Sequence, residues 1–203
     1  EEDAQGGVWA GTNGGGLVRY FNGAWQSFTT NEGLTGNIVQ VLKTEGTRLW
    51  VGTSKGVNLC HVNQTIRFET VYAQADNPDL FALAFAHSPT GSLLVGTPTG
   101  VFEILSEAGW RMVPFFPTET PAACLLRDRA NTLWVGTFGG LYHLTSQGPI
   151  QYRNKDGLTS DRIGALCEDR EGNLWIGTDG GGVNRMVQGT ITVLTEKQGF
   201  PNN

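Results

Sequence analysis

Asp169-Arg170-Glu171-Gly172-Asn173-Leu174-Trp175-Ile176-Gly177-Thr178 is the most complete copy of a repeat, because shorter versions of this stretch occur at four earlier places in the chain. The other copies are Gly7-Val8-Trp9-Ala10-Gly11-Thr12, Leu49-Trp50-Val51-Gly52-Thr53, Leu93-Leu94-Val95-Gly96-Thr97 and Leu133-Trp134-Val135-Gly136-Thr137. The glycine before each threonine is 41, 44, 40 and 41 residues from the next. A period near this length is typical of the four-stranded blades of a β-propeller. We therefore predict an all-β protein with about five blades.

Each repeat is predicted to contain four strands separated by turns rich in glycine and asparagine. Asn22-Gly23 is a hairpin signal between the last two strands of the first repeat. The nearly continuous apolar run from Ile38 to Leu42 is typical of a strand that is buried on both faces. We place the blades of this single domain at residues 1–36, 37–80, 81–121, 122–161 and 162–203.

Two positions of the repeat are predicted to hold neighbouring blades together. A sheet with two apolar faces is stable in water only when neighbours cover both faces, so we expect the tryptophan of each repeat to lie between blades. The glycine two residues later lets another strand approach closely. These structural positions are Trp9, Trp50, Trp134 and Trp175, and Gly11, Gly52, Gly96, Gly136 and Gly177. The third repeat departs from the pattern, because Leu94 stands where the others have tryptophan.

Charge and composition restrict the partners of the protein. The 203 residues include 29 glycines, only 16% are charged, and the formal net charge is −5. A nucleic-acid partner would require a basic face, and no cationic cluster is denser than Arg127 with Arg129, so we predict no nucleic-acid binding. The chain contains neither an apolar run of about 18 residues nor a basic and apolar leader. We expect membrane contact only through parts of a parent protein outside this segment.

Residues that could perform catalysis or bind metal are scattered over the repeats. The three histidines occupy different blade positions and have no partner at ligand spacing: His61, His87 and His143. The three cysteines show no Cys-x-x-Cys spacing and align with apolar columns, so each is expected to be a small buried residue: Cys60, Cys124 and Cys167. We predict no catalytic residue, no metal site and no cofactor.

Two connections between blades break the repeat, and they form the predicted binding region. In a propeller, the connections after the fourth and second strands emerge on one face around a channel mouth, where binding residues concentrate. Residues 71–79 and 114–121 replace the usual Gly-Leu connection, and three prolines in the second are expected to exclude regular strand pairing. The predicted ligand- or partner-binding residues are Tyr72, Asp76, Asp79, Phe115, Phe116 and Glu119. The alternative is that both connections are eroded repeats without a binding role.

Four of the five copies resemble the two-component regulator propeller repeat, in which Asp-x-x-Gly-x-Leu-Trp-x-Gly-Thr is followed by Gly-Gly and a further strand. The fifth copy has the whole pattern and is preceded by Gly157-Leu158-Thr159-Ser160. The resemblance implies a bacterial propeller in the periplasm or outside the cell, ahead of a membrane helix and a histidine kinase or related output domain. It implies a non-catalytic sensor whose ligand is a small molecule, a glycan or a protein.

Two other interpretations remain open at this point. A propeller lyase similar to the streptogramin-inactivating enzymes would need a histidine and a metal-bound carboxylate at the channel mouth. A structural scaffold for protein interactions would need only an exposed apolar patch there. The fold alone does not decide among them, because propellers host binding, signalling and catalysis.

The repeat spacing also predicts an open arrangement of blades. Joining the two ends would give a period of 37 residues between Gly177 and Gly11, four fewer than the usual 41. The missing residues correspond to Ile38-Val39-Gln40-Val41, which is most of an inner strand. Because a closed ring would then keep an unpaired strand edge, we expect a segment of a larger propeller. Further repeats of a parent protein, or dimerisation through the propeller edges, would complete it.

Overall fold

The computed structural model describes residues 1–63, 65–73, 81–88, 90–106 and 110–194. These residues form nineteen β-strands in five antiparallel sheets, with two short 3-10 helices and no α-helix. The prediction of an all-β protein built from propeller blades is confirmed.

The sheets follow one another along the chain. The first sheet has three strands, β1 (Val8–Gly11), β2 (Leu17–Phe21) and β3 (Ala24–Phe28). The second contains β4 (Val39–Glu45), β5 (Arg48–Thr53), β6 (Gly56–Val62) and β7 (Ile66–Ala73). The third contains β8 (Ala84–His87), β9 (Leu93–Thr97), β10 (Gly100–Leu105) and β11 (Arg111–Pro117).

The last two sheets have the same four-stranded order. The fourth contains β12 (Ala122–Arg127), β13 (Leu133–Thr137), β14 (Gly140–Thr145) and β15 (Gly148–Tyr152). The fifth contains β16 (Ile163–Glu168), β17 (Leu174–Thr178), β18 (Gly182–Val187) and β19 (Thr190–Leu194). The 3-10 helices, Thr30–Glu32 and Asn154–Asp156, lie in the connections that follow β3 and β15.

The blades are arranged radially. The first strands of consecutive four-stranded sheets, β4, β8, β12 and β16, lie side by side in chain order, so they are the inner strands of the propeller. In the part of the chain that the structure describes, the fifth sheet does not pack against the first, and the blades are not closed into a ring. The expected open arc is therefore observed.

Tryptophan side chains fill the interfaces between blades. We call the face of a blade that packs against the next blade in the sequence its trailing face. The face that packs against the preceding blade is its leading face. Trp9, Trp50 and Trp134 are only 1%, 4% and 7% exposed, and each packs in a cluster with residues on the leading face of the next blade. Trp175 is half-buried, because it lies on the trailing face of the last blade in the arc. The predicted burial is confirmed for three of the four tryptophans.

Each indole also has a carboxylate partner. Trp9, Trp134 and Trp175 donate from Nε1 to the Oδ2 atom of the aspartate six residues earlier, at distances of 2.6, 2.8 and 2.7 Å. In the second blade Trp50 donates to Glu45 Oε2 at 3.3 Å. The aspartates therefore connect each hairpin turn to the interface beside it, since their Oδ1 atoms accept hydrogen bonds from the turn backbone. A buried indole N–H without such a partner would destabilise the fold.

The pKa of Asp169 reflects these bonds. Partial burial raises this pKa, but hydrogen bonds from the Trp175 indole, the Asn173 side chain and backbone, and the Glu171 backbone together lower it to about 2. The carboxylate is therefore ionised, and accepts these bonds, throughout the neutral range.

The repeated glycines permit the closest contacts between blades. A Cβ atom placed on Gly52 would lie 2.5 Å from Val41 Cγ1 in its own blade and 2.7 Å from Ala82 Cβ in the next. The same crowding is found at Gly11, Gly96 and Gly136. At Gly177 the nearest atom would be 3.4 Å away, an ordinary contact distance, because no blade of the arc follows. The prediction that the repeat needs glycine for close approach is confirmed at the four internal positions.

The two ends of the arc leave sheet faces uncovered. On the leading face of the first blade, Val8, Tyr20 and Trp25 are all exposed. On the trailing face of the last blade, Cys167 is exposed beside Trp175. Cys60 is buried, and this burial raises the pKa of its thiol to about 12. Cys124 is half-buried. The expectation of three buried thiols is therefore wrong for Cys167. This position of the repeat is buried only in blades that have another blade packed against their trailing face.

We predict that Trp50→Ala and Trp134→Ala each lower the free energy of unfolding by about 3–5 kcal/mol, because each leaves a large cavity between two blades. Chemical denaturation monitored by circular dichroism measures this loss. Trp25→Ala is the matched control, since Trp25 is 67% exposed and its removal should change stability by less than about 0.5 kcal/mol. Equal stability of all three variants would contradict the assignment of the tryptophans to the interfaces.

A second pair of variants tests the close approach of the blades. Gly52→Ala should lower the free energy of unfolding by about 1–3 kcal/mol, because the added methyl group meets Val41 and Ala82. Gly177→Ala occupies the same place in the repeat but meets only an ordinary contact, so its effect should stay within about 0.5 kcal/mol. Thermal unfolding of both proteins gives the comparison. A larger loss for Gly177→Ala than for Gly52→Ala would contradict this account.

Candidate recognition surface at the channel mouth

Two connections between blades are held in fixed conformations. The helix Thr30–Glu32 has a capping box, in which Thr29 N donates to Glu32 Oε2 at 2.6 Å and Asn31 N donates to Thr29 Oγ1 at 3.2 Å. In the helix Asn154–Asp156, Arg153 N likewise donates to Asp156 Oδ2 at 2.9 Å. Gly33 and Gly157 end these helices with φ near 108°. Glycine adopts this left-handed conformation without strain.

A buried asparagine fixes each of these connections to the blade that follows. Asn58 is fully buried in β6, and its Oδ1 atom accepts hydrogen bonds from Thr35 N and Thr35 Oγ1, both at 2.8 Å. Its Nδ2 atom donates to the Gly33 carbonyl at 3.1 Å. Thr35 Oγ1 also lies 2.9 Å from Thr53 Oγ1. The polar groups of the connection are therefore satisfied by one blade, which makes this part of the mouth rigid.

The fifth blade repeats this arrangement. Asn184 is fully buried, accepts from Thr159 N at 3.1 Å and donates to Thr159 Oγ1 at 2.8 Å. Sequence reasoning did not identify Asn58 or Asn184. A signal was present, because asparagine follows Gly-Val only in the two blades that a Gly-Leu-Thr connection precedes. The blades with other connections have Phe102 and Tyr142 at this position.

Side chains from neighbouring blades meet at the mouth, where each inner strand begins. The Arg162 guanidinium lies 4.3 Å from the ring centroid of Phe138 in the preceding blade, and Arg162 Nε is 2.9 Å from Asp179 Oδ2. Ile38 occupies the place of Arg162 in the second blade, beside Asn13. Ile38 and Phe138 are 40% and 38% exposed. The mouth thus presents apolar surface and an exposed ion pair on a rigid frame.

Two of the residues predicted for binding, Tyr72 and Phe116, lie in strands and not in irregular connections. Tyr72 and Phe116 lie in the outer strands β7 and β11, opposite Val57 and Val101, and are half-buried. Tyr72 packs against the cluster of Trp50, and the Phe116 ring lies 5.3 Å from the ring of Tyr142 in an edge-on arrangement. Both residues occupy a packing position of the repeat.

The expectation that residues 114–121 form an irregular connection is wrong for Pro114–Pro117, which belong to β11. Proline is tolerated there because β11 is an edge strand, paired only with β10. Val71–Ala73 similarly belong to β7. Sequence alignment missed both strand ends because the outer strands contain a β-bulge, with Val71 and Phe115 as the additional residues.

The remaining predicted residues are separated from one another. Phe115 projects from the bulge and is 39% exposed. Glu119 is exposed in the short connection that follows β11. Asp76 and Asp79 lie outside the described residues. A binding role of these six residues stays a prediction.

The histidines are not at the mouth. His61 and His87 each lie near the end of their strand that is farther from the mouth. His61 Nε2 is 3.2 Å from Glu69 Oε2. His143 stacks on Trp134 with ring centroids 4.0 Å apart, and burial lowers its pKa although Asp128 acts in the other direction. Within the described ranges, no three His, Cys, Asp or Glu side chains come together as metal ligands would.

The sequence comparison identifies the repeat. Residues 157–180, which contain the connection held by Asn184 and the tryptophan of β17, match the family model described as two component regulator propeller. The fifth repeat is a two-component regulator propeller repeat. No curated protein matches the chain.

Solved structures share the propeller fold of this chain. The extracellular domain of a hybrid two-component system from B. thetaiotaomicron has a TM-score of 0.81 and 21% identity, with 100% of this chain and 29% of that chain covered. The extracellular domain of a one-component system from the same organism has a TM-score of 0.77 and 24% identity, covering 91% and 26%. This chain therefore spans less than a third of the length of these proteins.

A lyase has a similar fold at lower identity. Virginiamycin B lyase from Staphylococcus aureus has a TM-score of 0.68 and 12% identity, with 96% of this chain and 68% of that chain covered. Identities at these levels show a shared fold and nothing more. In the described residues, no helix has the length and apolar character needed to cross a membrane.

We predict that Tyr72→Ser and Phe116→Ser each lower the free energy of unfolding by about 1–3 kcal/mol, because both side chains pack between blades. Phe115→Ser is the control, since the bulge places this ring outside the interface, and its effect should stay within about 0.5 kcal/mol. Denaturant titrations compare the three proteins. If Tyr72→Ser and Phe116→Ser unfolded at the parent's denaturant concentration, these rings would be free for binding, as the sequence suggested.

Proposed function

We propose that this chain is part of the extracytoplasmic input region of a bacterial regulatory protein. In this role the propeller recognises a ligand or partner without catalysing a reaction. The match of residues 157–180 to the two-component regulator propeller supports this proposal, as does the fold shared with extracellular domains of two-component and one-component systems. The periplasm or the cell exterior is the proposed location. A small molecule, a glycan or a protein is the proposed class of ligand.

The composition of the channel mouth supports recognition at this surface. Phe138 exposes apolar surface beside the Arg162–Asp179 pair, which provides both signs of charge, and Ile38 exposes apolar surface at the equivalent place of the second blade. Apolar surface with a few directional polar groups is the usual composition of a ligand site. The carboxylates of Glu32 and Asp156, which accept from the N-cap backbone, and the buried asparagines keep these connections in place, which lowers the entropy lost on binding.

Non-catalytic recognition is favoured over a lyase activity by the placement of the histidines. A lyase of the kind considered above would need a histidine and a carboxylate that holds a metal at the mouth. Carboxylates such as Asp179 are present at the mouth, but all three histidines lie elsewhere. This arrangement suits binding rather than proton transfer.

The proposal is tested by a thermal-shift screen of the protein against defined oligosaccharides, amino acids and dipeptides, with hits confirmed by calorimetry. We expect Phe138→Ser and Arg162→Gln to weaken binding of a confirmed ligand at least about tenfold, since one removes apolar contact and the other a charged donor. Both side chains are exposed, so the variants should keep the parent's unfolding temperature within a few degrees.

Ile150→Ser serves as the control, because Ile150 is an exposed apolar residue on the outer strand β15, away from the mouth. It should bind the same ligand with the parent's affinity. A confirmed ligand whose affinity is unchanged in Phe138→Ser and Arg162→Gln would exclude the mouth as the recognition surface. A turnover of any screened compound would contradict the non-catalytic assignment.

A further inference from the structure

Two faces of the arc have no neighbouring blade in the part of the chain that the structure describes. The leading face of the first blade exposes Val8, Tyr20 and Trp25, and the trailing face of the last blade exposes Cys167 beside Trp175. Each interface inside the arc joins the trailing face of one blade to the leading face of the next. The two open faces are therefore one of each kind, which is the combination that pairs within the chain.

The leading face of the first blade keeps the apolar side chains of an internal interface. Val8 is 48% exposed and lies where the other four blades have a leucine, each of which is at most 5% exposed. Tyr20, opposite Val8, lies where three other blades have a buried apolar residue. The equivalents are Leu49, Leu93, Leu133 and Leu174 for Val8, and Cys60, Ile104 and Met186 for Tyr20. A preceding blade would bury both positions.

The trailing face of the last blade also matches an internal face. Trp175 keeps the aspartate acceptor that the buried tryptophans of the first and fourth blades have. Cys167, opposite Trp175, lies where the fourth blade has Leu126, which packs against the fifth blade. The last blade is therefore prepared for a neighbour, and such a neighbour would remove apolar surface from water.

The outer strands of the two open faces repeat an aromatic contact. Across the first interface, the rings of Phe28 and Phe68 have centroids 5.3 Å apart. Leu194 occupies the place of Phe28 on the last blade, and Trp25 occupies the place of Phe68 on the first blade. An apolar contact is thus available at the same position when the open faces meet.

Polar contacts inside the arc define how one blade aligns with the next. They involve the inner-strand residue opposite the leading-face leucine, which is Thr44 in the second blade and Glu168 in the fifth. Thr44 Oγ1 donates to Glu1 Oε2 of the first blade at 2.7 Å. Glu168 Oε2 accepts from Arg129 N of the fourth blade at 2.9 Å, and Arg129 Nη1 donates to the Arg170 carbonyl at 2.7 Å.

Glu2 and Arg170 occupy the corresponding positions of the open faces. Glu2 lies opposite the first strand at the place of Glu168, and Arg170 lies at the place of Arg129 in the turn of the last blade. Both residues are exposed. In the alignment found inside the arc, Glu2 of one copy accepts from Arg170 N of another, and the Arg170 guanidinium reaches the Ala4 carbonyl. The charges on the two open faces are therefore complementary.

We propose that copies of this chain associate head to tail. The leading face of the first blade of one copy covers the trailing face of the last blade of another, in the alignment of the internal interfaces. Such an interface is heterologous, so each pair keeps one open face of each kind. A second contact then closes a ring of two copies, or further copies extend the series. This association does not depend on the function proposed for the mouth.

Analytical ultracentrifugation of the 203-residue protein measures this association. We expect it to depend on concentration, with a Kd on the order of 1–100 µM for one contact. A parent protein that stayed monomeric up to about 1 mM would overturn the proposal, and the open faces would then belong to a different partner.

Two variants each block one face. Val8→Lys places an ammonium group on the leading face, and Cys167→Asp places a carboxylate on the trailing face. Both positions are exposed in a single copy, so each variant should stay folded, but docking would bury an unpaired charge. Each should therefore associate at least about thirtyfold more weakly than the parent. Ile150→Lys is the matched control, because it adds a charge at an exposed apolar residue away from both open faces, and it should associate like the parent.

A mixture of the two variants tests the head-to-tail arrangement. Val8→Lys retains an intact trailing face and Cys167→Asp retains an intact leading face, so an equimolar mixture should form a 1:1 dimer that does not grow further. A mixture that remained monomeric would overturn the proposal. Association of either single variant as strong as that of Ile150→Lys would show that the contact lies elsewhere and would also overturn it.

Discussion

The structure depends on one constraint, which is that each blade must cover an apolar face of its neighbour. A single four-stranded sheet of this composition exposes too much apolar surface to be stable in water. Trp9, Trp50 and Trp134 provide most of the cover, and the glycine two residues after each lets the next inner strand approach. Burial of the indole requires an acceptor for its N–H group, which the carboxylate of the adjoining hairpin supplies. Turn, strand and interface thus form one connected unit.

This unit leaves the rest of each blade free to vary. Two connections at the mouth carry different side chains on a backbone that is held by Glu32 or Asp156 and by Asn58 or Asn184. Ile38 and Arg162 can therefore differ in chemistry while holding equivalent positions. A rigid frame with variable exposed residues is suited to recognition, because little conformational entropy is lost when a ligand binds.

The third blade lacks the indole–carboxylate pair that the other blades use at their interfaces. Leu94 replaces the indole, Ser88 replaces its acceptor, and Ser88, Ser92 and Glu103 form a polar network of their own. Because the two replacements occur together, no polar group of an indole–carboxylate pair is left without its partner. The interface remains packed around Leu94, Leu133 and Val135. Departure from the repeat at two linked positions therefore leaves the fold intact.

The blade fold, the tryptophan column, the glycine positions and the open arc could all be predicted from the sequence, because they follow from a pattern repeated at one period. The sequence did not determine which residues share a surface. Tyr72 and Phe116 resembled loop residues because a one-residue bulge shifts the outer strand against the repeat, and a bulge is visible only in the strand pairing. Cys167 and Trp175 matched buried columns, yet they are not fully covered, since burial on a blade face depends on the blade that follows. The positions of Asn58, Phe138 and Arg127 were likewise decided by contacts between residues 24 to 40 apart in the chain, which only the tertiary structure brings together.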